Sequence, residues 1–114
     1  MAFHISIKEN NTNQILKALG ERKSIALEAI GLQAENYAKL NLYPGHGYDT
    51  GRLQNSITHA QEDENTEVIG TNVEYAHYVE LGTQRSKPKP YLKPAVMNHI
   101  DEYKRIVEQY LRNG

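Results

Sequence analysis

SIALEAIGLQAENYAKLNL, residues 24–42, is the stretch whose reading decides how the chain folds. Its Ala, Leu and Glu content favours helix throughout. Ser24 offers an N-cap, and only Gly31 interrupts the helical composition before about Leu42. The apolar residues fall on two stripes, Leu27, Ile30, Ala34 and Tyr37 on one and Ile25, Ala29, Leu32 and Leu40 on the other. A surface helix needs one such stripe. A second implies contact with another helix, from the same chain or from a neighbouring subunit.

Upstream, FHISI (residues 3–7) alternates Phe3, Ile5 and Ile7 with polar neighbours, the period-2 pattern of a half-buried strand. Residues 12–20 place Ile15, Leu16 and Leu19 at helical spacing, with Gly20 as the expected stop. Downstream, YPGHGYDTG (residues 43–51) is rich in Gly, Pro and Asp and reads as a loop, the segment best suited to mobility. RLQNSITHA starts as a helical turn opened by Asp49 or Thr50 and becomes extended, so residues 56–72 read as a β-hairpin turning at QEDENTE.

EYAHYVEL (residues 74–81) reads as two turns of helix ended by Gly82. Pro88, Pro90 and Pro94 exclude regular helix from 84 to 93, which leaves an extended arm or edge strand. Pro94 then suits the first turn of a final helix carrying Val96, Ile100, Tyr103, Val107 and Tyr110 on one face.

A chain of 114 residues suits one domain, 1–114. The formal charge is −1, from 13 basic and 14 acidic residues, too balanced to hold a phosphate backbone nonspecifically. The absence of cysteine rules out disulfides, thiolate metal sites and a cysteine nucleophile. MAFHISIKENN lacks the basic and apolar regions of a secretion signal, and no run approaches the ~20 apolar residues of a membrane span, so cytoplasmic synthesis is expected. Eight tyrosines against one Phe and no Trp suit either core edges or surfaces half covered by a partner.

For catalysis the sharpest candidate is His77 with Glu80, three residues apart and on one helical face. With His46 and Asp49 from the loop they would make a small metal-dependent enzyme. Against that reading, the five histidines show no ligand spacing, and His77 and Glu80 supply two ligands of the three or four a metal needs. A partly exposed histidine on an amphipathic helix accounts for the pattern as well. No serine lies in a nucleophile elbow, and the glycine pairs lack the spacing and lysine of a phosphate loop. Arg85, Lys87, Lys89 and Lys93 give the 84–93 arm a basic character that fits a nucleic-acid-binding module, an acidic protein surface, or an edge blunted against strand pairing.

Four pieces occur in order: DTGRLxxSI at 49–57, VIGT at 68–71, YAHYVELGT at 75–83 and PYLKPA at 90–95. Together they resemble a family of small tailed-bacteriophage tail components that act in head–tail joining or tail completion. The resemblance implies an α+β fold, with a small antiparallel sheet packed by a long helix from the N-terminal half and a C-terminal helix. It implies a non-enzymatic structural protein with no cofactor and no metal, made in the host bacterial cytoplasm and carried in the virion neck or upper tail. Its expected partners are copies of itself in a ring and neighbouring neck or tail proteins, with DNA only passing through the lumen and no membrane. The candidate contact residues are Asp49, Thr50, Gly51, Arg52 and Leu53 in the loop, Tyr75, Tyr78, Glu80, Gly82 and Thr83 around the short helix, and Arg85, Lys87, Lys89 and Tyr91 in the arm. Glu80, near a helix C-terminus, needs a cation there, and Arg52 or Arg85, from this chain or its neighbour, is the expected donor.

Overall fold

A computed structural model of the chain describes residues 1–6, 20–48 and 50–112. The expected helix over 12–20 falls, up to residue 19, outside the described residues, as do Ile7 and Asp49. The fold is α+β. Strand β1 (Ala2–Ser6) is followed by the long helix α1 (Gly20–Leu40), two-residue strands β2 (Tyr43–Pro44) and β3 (Gly47–Tyr48), and helix α2 (Arg52–Ser56). The hairpin β4 (Thr58–Asp63) and β5 (Thr66–Gly70) comes next, then helices α3 (Ala76–Leu81), α4 (Leu92–Met97) and α5 (Ile100–Arg112).

The main sheet is antiparallel in the order β1-β5-β4. Strand β5 is central because β1 returns to it across the chain, pairing Phe3 with Ile69 and Ile5 with Glu67. On the other side His59 faces Ile69 and Gln61 faces Glu67. The period-2 alternation of strands therefore places Phe3, Ile5, Glu67, Ile69, His59 and Gln61 on one face of the sheet.

Helix α1 covers that face. Leu27, Ile30, Ala34 and Ala38 are buried in the core with Ile57, Ile69, Leu92, Ala95 and Tyr103. Alanines at 26, 34 and 38 let the helix approach closely, and Tyr37 reaches the start of α5: its ring stacks on His99, just before that helix, with centroids 3.5 Å apart, and its hydroxyl donates to Glu102 at 3.0 Å. The other expected stripe points away from the core: Ile25, Leu32 and Leu40 are 53%, 50% and 72% exposed. Nothing in the described chain covers them.

Several expectations are corrected here. Gly20 is helical rather than a stop, and Ser24 lies within α1, where its hydroxyl donates to Gln61 at 2.6 Å instead of capping. The N-cap of α2 is Gly51, at φ 83°, rather than Asp49 or Thr50. The final helix is two helices, broken at Asn98 and His99, and the first begins at Leu92. Pro94 is its third residue, a position whose missing N–H removes no intrahelical bond.

Candidate assembly surface

The turn from α3 into the arm is fixed by Gly82. Its φ of 77° is in the region that disfavours side chains, and a Cβ there would stand 2.7 Å from the Pro88 nitrogen and 2.9 Å from the Ser86 carbonyl oxygen. The chain turns at once, with Thr83 N–H donating to Ser86 O at 2.9 Å and the Thr83 hydroxyl accepting from Ser86 N–H at 3.0 Å. Lys89 N–H then donates to Val79 O at 2.8 Å, which lays the arm back along α3.

Glu80 secures the far end of the arm. Its carboxylate is buried and accepts backbone N–H groups from Tyr91 at 3.0 Å, Leu92 at 2.8 Å and Lys93 at 3.2 Å. These are donors that the first turn of α4 leaves without intrahelical partners, and a helix N-terminus favours an anion. The expected pairing of Glu80 with Arg52 or Arg85 is therefore replaced by main-chain donors. Arg52 is committed elsewhere: its guanidinium donates to both Glu74 oxygens at 2.9 Å and lies 5.5 Å from the centre of the Tyr75 ring. The bond to Glu74 raises the Arg52 pKa and lowers that of Glu74.

His77 and Glu80 do not converge. His77 is exposed with its ring tilted against Tyr78 at 4.1 Å, while Glu80 is turned into the interior and both its oxygens are engaged. His46 faces the Asn41 carbonyl at 2.9 Å. The metal-enzyme arrangement is thus not assembled by these three residues.

Most of the other candidates do gather. Thr50, Gly51, Arg52 and Leu53 line a cleft of about 280 Å³ with Tyr48 and Tyr75. A second cleft of about 180 Å³ adjoins it through Gly47 and Tyr75 and is lined by Tyr78, Thr83, Lys87 and Lys89. The loop and the arm, thirty residues apart in sequence, share Tyr75 between them. Tyr43, Tyr48 and Tyr78 are exposed, and so are Arg52, Thr83, Arg85 and Lys87. Leu53, Glu80 and Tyr91 are interior: Tyr91 is fully buried with its hydroxyl on the Ala76 carbonyl at 3.1 Å, so it holds α3 to α4 rather than facing outward. Gln54, which was not a candidate, donates to Lys39 O at 2.8 Å and Leu42 O at 3.2 Å and so ties α2 to the end of α1.

A second polar group was missed altogether. Glu67 on β5 is buried, with His59 of β4 and Glu28 and Glu35 of α1 nearby. The sequence held two signals, Gly31 in the middle of a helix and an acid at 67 in phase with Ile69.

A family model described as "Bacteriophage HK97-gp10, putative tail-component" matches residues 9–82. The chain belongs to this family. The match spans α1, the hairpin and α3, and ends at Gly82, where the arm begins. Neither the curated proteins nor the solved structures gave a match. The chain is accordingly a structural phage protein of the tail-component class, which places it in the virion tail among other phage structural proteins. No helix among the described residues is long and apolar enough to cross a membrane.

Proposed function

We propose that the chain is a non-enzymatic protein of the head–tail junction, one domain over residues 1–114, that joins head to tail or completes the tail by assembling as a ring. Family membership over residues 9–82 is the observation that carries this reading. The outward stripe of α1 supports the self-association, since Ile25, Leu32 and Leu40 would lose contact with water against a neighbouring copy. The paired clefts around Tyr75 support docking by loop and arm, because exposed tyrosines and a Pro-stiffened basic segment bind with little loss of side-chain freedom. In this reading Thr50, Arg52, Tyr75, Tyr78, Thr83, Arg85, Lys87 and Lys89 face neighbouring neck or tail proteins. The subunits gather in the host cytoplasm and end in the neck or upper tail, with DNA passing through the ring.

Deleting the gene from a phage that carries it, and imaging the lysate by electron microscopy, tests the proposal. The expected result is filled heads and tails left unjoined, restored by the wild-type gene and not by Leu32→Asp. Intact infectious virions from the deletion would overturn it.

A further inference from the structure

Four titratable side chains meet between α1 and the sheet. Both oxygens of Glu67 are sealed from solvent, and no donor among the described residues reaches either. A buried carboxylate without donors is costly, whereas the neutral acid is tolerated. Beside it, His59 has Nδ1 2.8 Å from Glu35 and Nε2 2.8 Å from Glu28, so both ring nitrogens face acceptors and the ring must carry two protons to satisfy them. Gly31 is the helix residue over this group. A Cβ there would lie 2.6 Å from Glu67 Oε2 and 2.7 Å from His59 Cδ2, so the helix is bare at the one point where the acid stands beneath it.

We propose that Glu67 and His59, with Glu28 and Glu35, form a protonation-dependent latch that holds α1 on the sheet and loosens it as the proton on Glu67 is lost. The reading is independent of ring assembly. When Glu67 ionises, its proton goes to solvent and a third carboxylate joins Glu28 and Glu35 around one imidazolium. The other charges nearby do not restore the balance. Lys39 is engaged with Glu35 at 3.1 Å, and Lys23, which is buried, lies about two turns before Gly31 on α1. From β1, the register partner of Glu67 is Ile5, while His4 has the alternate phase and reaches Glu62 at 3.3 Å. From α5, Lys104 and Glu108 line the groove that Ile5 and Ile30 share.

The directions of titration agree with the geometry. Burial, opposed by His59 and reinforced by Glu28, pushes Glu67 up to about 7 from 4.5. Burial works against a charged His59, but its bonds to Glu28 and Glu35 outweigh this and raise it above 6.5. Both groups bind protons more tightly in the folded state, so both contributions are lost as pH rises, Glu67 between 4.5 and about 7 and His59 from 6.5 upward. Glu35 acts in the opposite sense: burial raises it, its bonds to His59 and Lys39 lower it further, and its contribution is lost only as pH falls below 4.5.

Carboxyl carbon NMR on the wild-type chain reads Glu67 directly. Titration centred near 7 is expected, and titration near 4.5 would overturn the latch. Hydrogen exchange supplies the mechanical half. After correction for intrinsic rates, protection of amides 24–35 should fall about ten-fold between pH 5 and 6.5, a window dominated by Glu67. In Glu67→Gln that fall should vanish, leaving only the loss that His59 causes at higher pH. An equal fall in Glu67→Gln and wild type would also overturn the proposal, and should the variant not fold, the wild-type titration still decides.

Discussion

Glu80 and Glu67 are buried to nearly the same depth, 3% and 0% exposed, and live under opposite conditions. Glu80 meets three backbone N–H groups at the start of α4. Glu67 meets none among the described residues. Depth alone therefore does not set what a buried acid does. A carboxylate met by donors acts as a fixed joint, and one without them holds a proton whose loss is felt by whatever packs above it.

The comparison is broken most forcefully at Glu80. Glu80→Ala leaves three main-chain donors unmatched in the interior, and a loss of about 3–5 kcal/mol in urea denaturation is expected. A loss below about 1 kcal/mol would mean that the joint is not structural. Gly31→Ala sharpens the other half. Helix propensity alone predicts a gain of about 1 kcal/mol, yet the methyl would enter the space of Glu67 and His59, so a net loss of about 1 kcal/mol is expected. That loss should shrink when Glu67→Ala is made in the same chain, which a double-mutant cycle measures. Arg52→Ala is the smallest case. Its ion pair with Glu74 lies in solvent, so the melting temperature should not move, although docking by the loop should weaken.

What could be read from sequence follows the range of the interactions involved. The hairpin, the inner stripe of α1 and the turn at Gly82 rest on neighbours a few residues apart, and each appears where its pattern puts it, whereas the arm gives way to α4 already at Leu92, inside the 84–93 span expected to hold no helix. Ser24 misled because its partner, Gln61, is 37 residues away and draws the hydroxyl across the interface rather than along its own helix. Glu80 misled for a related reason: a carboxylate near the end of one helix serves the beginning of another, eleven residues on. Tyr91 belongs by sequence to the arm and its candidate contacts, whereas its ring fills the space between α3 and α4. The group around Glu67 was beyond local pattern, since Gly31 has meaning only once β5 lies beneath it.

Gly82 and Glu80, two residues apart, hold the two ends of the same arm, so the segment between them is closed like the handle of a cup. Its rim, residues 84–87, is exposed and reaches none of the core. Length and chemistry can be altered there while both attachments stay in place, which makes the handle a natural place to graft a new binding sequence onto an unchanged frame.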